Sequence, residues 1–450
     1  MDKIKVGFVS LGCSKNLMDT EVMLHHVLDA GYEIVGDESE ADVVIINTCA
    51  FIESAKSEAI DNILDVAWLK ENRNLKSIIV TGCLAERYRD ELIEQMPEVD
   101  AVVGVGSIHS IADAVAATLC GEKYTSFEDK EAVALGGERI VTTGDAFAYV
   151  KIAEGCSNRC TYCAIPSIRG KMRSRKIGDI VAEAAELSDM GIKELCVIAQ
   201  DTTSYGLDIY GRLALPELLR ELCEKTEFYW IRLLYLYPDR ITDELLDVIA
   251  ENDRIVPYFD IPIQHISDKV LKRMNRRGNG DTVRDAIRRI RERIPEAIIR
   301  TTVIVGFPGE TDEDFAELCE FAKETEFDRF GAFTYSREED TPAYDFEDQI
   351  DEQVKQDRYD IIMRDQMEIA AKKSEARVGT ETVVLCEGFD AVAECFFGRS
   401  YGEAPDVDGR VYFKVKTGDK KPVEGDLVKV KITEAMDYDL IGEMTGKVIW

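Results

Sequence analysis

Three apolar runs near the start of the chain, KVGFVSL, DVVIINT and KSIIVTG, each lead almost directly into a cysteine, at Cys13, Cys49 and Cys83. A segment of helical period follows each run, and DAVVGVG makes a fourth candidate strand. Buried strands that alternate with helices predict a doubly wound parallel α/β domain over residues 1–125. In a parallel sheet all strands end on the same edge, the edge where open α/β sheets gather ligands. The three sulfurs, 36 and 34 residues apart, should therefore converge there. The alternative is three core cysteines placed by chance, and the repeated position in successive βα units weighs against it.

The remainder divides by its periodicity. Residues 121–146 lose any regular pattern, and 126–146 are expected to form a linker. From Phe147 a second alternation begins, with candidate strands AYVKIAEG, ELCVIAQ, YWIRLLYL, YFDIPIQ, IIRTTVIVGF and RFGAFTYS. Six βα units in about 190 residues predict a partial (β/α)6 TIM-like barrel over 147–373, since a full eight-unit barrel takes about 250 residues. Residues 350–376 read as one long polar helix that closes this domain. TETVVLCEG, GRVYFKV, DLVKVKITEA and KVIW are short alternating strands between Gly, Asp and Pro turns, which predicts a small all-β barrel over 374–442.

No run reaches the 18 or so apolar residues of a membrane span, and the opening MDKIKVGF passes straight into a strand, so a cytoplasmic protein without membrane contact is expected. In that compartment the twelve cysteines are not a disulfide framework. Six fall in two organised groups. The other six, Cys120, Cys196, Cys223, Cys319, Cys386 and Cys395, read as small buried hydrophobes. A net charge of −32 repels phosphate backbones, so general tRNA binding is not expected, and a basic protein partner would be attracted instead.

The second group lies in EGCSNRCTYCAIPSIRG, where Cys156, Cys160 and Cys163 are spaced C-x3-C-x2-C just beyond the first barrel strand. Three thiolates in so tight a loop suit an iron–sulfur cluster, and with four irons in a cube one iron is left open. The alternative is a structural zinc site, which closes with four ligands; no neighbouring His or Cys supplies the fourth. This spacing, its position and Tyr162 before the third cysteine resemble the radical S-adenosylmethionine superfamily. The resemblance implies that the open iron of the catalytic triplet chelates the methionyl amine and carboxylate of S-adenosylmethionine. An electron from the cluster then breaks a sulfur–carbon bond and releases a 5′-deoxyadenosyl radical. It also implies an external flavodoxin-like or ferredoxin-like electron donor. VIVGFPGE, containing Val305, Gly306 and Glu310, looks like the adenine-side motif of the superfamily. Gln200 and Asp201 end the second barrel strand, Gln264 and His265 the fourth, and Arg173 and Arg175 in GKMRSR could pair a carboxylate. Of these, Tyr162, Gln200, Arg173, Arg175, Val305, Gly306 and Glu310 are the expected cofactor contacts.

Two three-cysteine sites together with a β-rich tail resemble the methylthiotransferase family along nearly the whole chain. That resemblance assigns a second 4Fe–4S cluster to Cys13, Cys49 and Cys83, whose open iron can hold a sulfur donor. The family acts on tRNA adenosines or on a ribosomal protein. Residues 374–450 carry 15 acidic and 10 basic side chains, whereas an RNA-binding strand platform needs a basic groove. LGCSKNLMDTE, AQDTTSYG, YLYPD, DIPIQHISDKVLKRMNRRG and GRSYGEAPDVDG are similar to the branch that methylthiolates the β-carbon of an aspartate in ribosomal protein uS12. A tRNA methylthiotransferase and a non-catalytic iron–sulfur or zinc module remain the competing readings.

Overall fold

Six parallel strands, β1 (Lys5–Ser10), β2 (Glu33–Val35), β3 (Val43–Thr48), β4 (Ser77–Gly82), β5 (Ala101–Val103) and β6 (Tyr124–Ser126), form the first sheet in the order β2-β1-β3-β4-β5-β6. Residues 3–133 and 135–450 are described by this computed structural model. Every residue of β3 and β4 is buried, which is why these strands read as unbroken apolar runs rather than alternating ones. Side chains alternate across β3. Val44 and Ile46 pack with Ala59 and Ile63 of α2 (Glu53–Asn72) and Leu84 and Leu92 of α3 (Cys83–Gln95). Val43 and Ile45 pack on the other face with Met23 and Val27 of α1 (Ser14–Asp29) and Val115 of α4 (Ile111–Leu119). The doubly wound α/β reading is met. β2 and β6 are absent from it because each is a three-residue edge strand with no buried position.

The chain divides into two compact units. One comprises Met1–Thr142, Ala153–Arg175 and Ser336–Tyr344; the other comprises Thr143–Ile152, Lys176–Tyr335 and Asp345–Trp450. In the second unit β7 (Phe147–Lys151) opens a new set of parallel strands. The two-stranded ribbon of β8 (Ala153–Glu154) and β9 (Arg173–Ser174) belongs to the first unit. The second unit continues with β10 (Glu194–Ile198), β11 (Trp230–Leu233), β12 (Tyr258–Asp260), β13 (Ile298–Val305) and β14 (Arg329–Thr334). They form parallel sheets β11-β10-β7 and β12-β13-β14, linked by a bridge between Ile231 and Ile255. This is the expected partial barrel of six strands.

A closed five-stranded barrel follows in the order β15-β16-β17-β19-β18: β15 (Glu381–Asp390), β16 (Cys395–Arg399), β17 (Val411–Lys414), β18 (Leu427–Ala435) and β19 (Leu440–Lys447). The expected all-β tail is present, with two corrections. CFFGR forms β16, which the sequence reading passed over, and the last strand is LIGEMTGK rather than KVIW. In LIGEMTGK only alternate positions are buried and two of its residues are glycine, so its apolar signal is thin. Ile449 is 99% exposed.

The loop after β16, within GRSYGEAPDVDG, keys this small barrel to the (β/α)6 strands, at the first residue of β10, β12 and β14 and further along β7 and β11. Glu194, the first residue of β10, is fully buried between two guanidiniums: Arg232 Nε donates to Oε1 and Arg399 Nη2 to Oε2, both at 2.6 Å. Arg232 also donates to the carbonyls of Tyr401 and Ser400. Tyr149 of β7 donates to Asp406 (3.1 Å) and Tyr258 of β12 to Asp408 (2.5 Å). Glu403 accepts from Arg329 of β14, from Arg377 and from the Ser400 amide. Barrel active sites lie at the opposite, C-terminal strand ends, so this loop is a structural key.

The key is acid-sensitive. Burial alone would raise the Glu403 pKa, but Arg377, Arg329 and Ser400 outweigh it and hold the carboxyl at about 2, below its ordinary 4.5. A depressed folded pKa contributes stability that is complete above the unfolded value and lost as pH falls through the folded one. The gap corresponds to about 3 kcal/mol, lost between pH 4.5 and 2. Trp230 fluorescence and near-ultraviolet dichroism should report this transition. Glu403→Gln should flatten the pH dependence in that window; a profile identical to the parent would show that Glu403 does not carry it.

Candidate active site

Each cysteine of the first triplet follows a strand of the parallel sheet, and Cys13 and Cys83 also meet a helix start. Cys13 is the N-cap of α1, Cys49 directly follows β3, and Cys83 follows β4 as the first residue of α3. Helix N-termini favour thiolates. The loops are held by buried amides: Asn47 Nδ2 donates to Asn16 O (2.7 Å) and Thr20 Oγ1 (2.9 Å), and Asn16 Nδ2 donates to Thr48 O (2.8 Å). Two glycines leave room where a side chain would intrude. Gly12, at φ +93°, would place a Cβ 2.8 Å from Cys49 Cβ and 3.3 Å from its sulfur. Gly82, at φ +88°, would place one 2.3 Å from Asn47 Oδ1.

The three thiols sense one another. The protein mass around Cys13 opposes its ionisation, yet Lys15, Arg169 and the amides of Asn16 and Lys15 outweigh this, so its pKa lies below the ordinary value. Burial raises that of Cys49 against the pull of the Phe51 amide, with a further push from Cys13. Burial takes Cys83 up to about 12, with Cys49 and Cys13 adding to the rise and Arg169 opposing it. These influences are those of thiols within electrostatic range of one another, as the strand register leads one to expect. Among the described residues, no three His, Cys, Asp or Glu side chains gather on a point as a single ion requires.

The second triplet occupies one loop of the same unit. Cys156 and Cys160 are buried and Cys163 half-buried. The Cys156 amide donates to Gly170 O (3.1 Å) and the Cys163 amide to Cys160 O (3.1 Å). Gly155, at φ +75°, lets its strand approach the carbonyls of Lys171 and Gly170, which a Cβ would meet at 2.2 and 2.6 Å. After Cys163 the chain makes one turn, α5 (Ile165–Arg169), with proline in its first turn. Ala343 N donates to Thr161 O (2.9 Å), and Glu338 forms a buried ion pair with Arg87 of α3 (2.9 Å). Of the expected arginines in this unit, Arg173 Nη1 donates to the carbonyls of Glu131 (3.2 Å) and Val133 (2.6 Å), and Arg175 is buried. Tyr162 is half-buried.

In the second unit, Gln200 follows β10, and Val305 ends β13. Gly306, at φ +73°, turns the chain so that Glu310 accepts from the amides of Gly306 (2.5 Å) and Phe307 (3.0 Å). Burial pushes Glu310 up to about 7, against Arg358 and those two amides. Gln264 takes the left-handed region at φ 70°, unusual for a residue with a side chain, and its Oε1 is buried without a hydrogen-bond partner among the described residues. Burial pushes His265 down to about 3, so its ring is neutral; Nδ1 accepts from the Ser267 amide, which places the proton on Nε2.

The chain matches the Radical SAM superfamily over residues 150–322, Uncharacterized protein family UPF0004 over 5–104 and the TRAM domain over 378–445. Ribosomal protein uS12 methylthiotransferase RimO of Acetivibrio thermocellus is 48% identical over 456 residues, covering 99% of either chain. The chain belongs to the RimO family. RimO of Thermoanaerobacter sp. is 50% identical, covering 97% of this chain and 99% of its own, and that of Clostridioides difficile is 49% identical over 98% and 99%. Among solved structures, the radical S-adenosylmethionine methyltransferase TsrM from Kitasatospora setae aligns with a TM-score of 0.56 at 13% identity, over 84% of this chain and 79% of its own. The cobalamin-dependent S-adenosylmethionine radical enzyme OxsB aligns at 0.51 and 13%, over 82% and 56%. Those two likenesses show the fold alone.

A radical SAM domain works with a 4Fe–4S cluster and S-adenosylmethionine, and the three soft donors of the loop inside the matched segment, Cys156, Cys160 and Cys163, fit such a group in this RimO family member. Several polar residues around the triplets escaped the sequence reading: Asn16, Asp19, Glu154 and Arg169. Their signal is faint but present. Asn16 and Asp19 stand three and six residues after Cys13, polar on a helix face that should be apolar.

Proposed function

We propose that this chain is a radical S-adenosylmethionine methylthiotransferase with two 4Fe–4S clusters, acting on the β-carbon of an aspartate in ribosomal protein uS12. The observation that carries the reading is that Cys13, Cys49 and Cys83 each follow a strand of one parallel sheet, in the same unit as a second three-cysteine loop. Cys13, Cys49 and Cys83 would hold one cluster, and Cys156, Cys160 and Cys163 the other. When bound, the second cluster supplies one low-potential electron that breaks a sulfur–carbon bond of S-adenosylmethionine and gives a 5′-deoxyadenosyl radical. Tyr162, Gln200, Arg173, Arg175, Val305, Gly306 and Glu310 are the proposed contacts of S-adenosylmethionine.

The chain's own part is to bind and hold. Glu310 fixes the Gly306–Phe307 turn by accepting both amides, which keeps the end of β13 in one conformation. The buried asparagines fix the two loops that carry Cys13 and Cys49. A flavodoxin-like or ferredoxin-like protein would deliver the electron. The net charge of −32 favours encounter with a basic protein substrate over a phosphate backbone.

The test is anaerobic turnover of the reconstituted full chain with uS12 and with tRNA in parallel, read by mass spectrometry. A methylthio adduct is expected on uS12 alone; modified tRNA with unmodified uS12 would overturn the substrate assignment. Cys49→Ala should retain 5′-deoxyadenosine formation and lose the adduct. An unchanged adduct yield would remove the first triplet from the reaction.

A further inference from the structure

Arg169 closes α5, six residues beyond Cys163, and is only 3% exposed. Its Nη2 donates to Cys83 Sγ (3.7 Å) and Asn16 Oδ1 (2.5 Å). Nη1 donates to Asp19 Oδ2 (2.9 Å) and to both oxygens of Glu154 (3.3 and 3.2 Å). Glu154 in turn accepts from the Gly155 amide (3.2 Å), next to Cys156. One guanidinium thus touches a ligand of the first triplet and the carboxylate that braces the entry to the second. Two carboxylates would balance any buried cation; they do not explain why the other nitrogen is aimed at a sulfur. Lysine could not replace it, because reaching acceptors on two sides takes a planar fork.

Resting on the two-cluster reading above, we propose that Arg169 is a positioning residue that raises the reduction potential of the cluster held by Cys13, Cys49 and Cys83. Reduction adds negative charge, and a buried cation that donates to a ligand sulfur stabilises the reduced form; hydrogen bonds to sulfur and net charge are the levers that set such potentials. Because the same side chain grips Glu154, the two cysteine loops share one counter-charge.

The test uses the full chain with Cys156, Cys160 and Cys163 replaced by alanine, reconstituted so that one cluster remains, and a potentiometric titration followed by electron paramagnetic resonance. Arg169→Gln should lower the equilibrium constant for reduction at least tenfold, or about 59 mV for one electron. Should that variant fail to fold with Asp19 and Glu154 left buried, Arg169→Lys keeps the charge but not the fork, and it should lower the constant at least threefold. Full iron content with an unmoved potential in Arg169→Lys would overturn the proposal and leave the two-cluster reading intact. A parent that binds no iron would overturn both.

Discussion

Replacing Cys160 by alanine abolishes 5′-deoxyadenosine formation and lowers the iron bound by a reconstituted chain from about eight to about four atoms, since a 4Fe–4S cube needs its cysteine thiolates to stay bound. The loop offers no substitute. Cys160 is 5% exposed, its carbonyl is the acceptor for the Cys163 amide, and the residues on either side, Arg159 and Thr161, have no thiol. Of the scattered cysteines, Cys196, Cys386 and Cys395 are buried as expected, whereas Cys223 and Cys319 are half-buried and Cys120 is exposed. Cys196 sits fully buried in β10 with burial holding its pKa far above the ordinary value, so its thiol stays protonated and inert. Cys196→Ala is therefore the control, expected to leave iron content and 5′-deoxyadenosine yield unchanged. Chromatographic assay of 5′-deoxyadenosine with colorimetric iron decides the matter; substantial cleavage by the Cys160 variant would remove this triplet from the chemistry.

The place of Cys49 and Cys83 directly after their strands was legible in the sequence because the apolar runs fix the register. Strands β3 and β4 are buried at every position, so DVVIINT and KSIIVTG appear as solid apolar runs and the cysteine after each is fixed to one sheet edge. The reading weakened wherever burial and hydrophobicity part company. β2 and β6 are short and exposed. LIGEMTGK buries only alternate residues. The helix Glu352–Glu375 looked polar, and it is, yet Lys355, Arg358, Ile362, Gln366, Ala370 and Ser374 form a buried stripe at helical spacing. The Lys355 ammonium donates to the Tyr335 carbonyl (3.1 Å), and the Gln366 amide to that of Phe327 (3.3 Å). A period computed on apolar residues alone passes over such a stripe.

The site was harder for the same reason. Asn16, Asp19, Glu154 and Arg169 are buried polar groups satisfied by partners up to 153 positions away along the chain, as in the bond from Arg169 to Asn16. No local pattern announces a pair at that separation. Arg173 shows the opposite case, a residue chosen for its charge whose Nη1 the structure directs to two main-chain carbonyls. GRSYGEAPDVDG resembles a family motif, and its packing gives the physical reason for its composition: Arg399, Glu403, Asp406 and Asp408 each meet a partner on the barrel strands or at their ends.

Glu194→Ala should destabilise the second unit by about 3–5 kcal/mol, the usual effect of removing one partner from a buried ion pair. The loss is large because two cations depend on this carboxylate. Arg232 has no exposed surface and Arg399 is 2% exposed, and without Glu194 both guanidiniums would remain in the interior, with Glu387 the other carboxylate on Arg399. Burial opposes ionisation of Glu194, but Arg232 and Arg399 outweigh it and hold its pKa below the ordinary value, so the full effect applies at neutral pH. Against a typical domain stability of about 5–15 kcal/mol, the closed β-barrel should detach before the (β/α)6 strands unfold. Chemical denaturation followed through Trp230 and Trp450 is expected to split into two transitions in the variant, since Trp450 lies on Tyr229 with ring centroids 4.9 Å apart. Glu194→Gln keeps the shape and loses the charge, and should fall between parent and alanine. A midpoint within the error of the parent for both variants would mean that the two guanidiniums are held by the Tyr401, Ser400 and Glu403 carbonyls and the Glu387 carboxylate, and that the charge on Glu194 contributes nothing to joining the two parts.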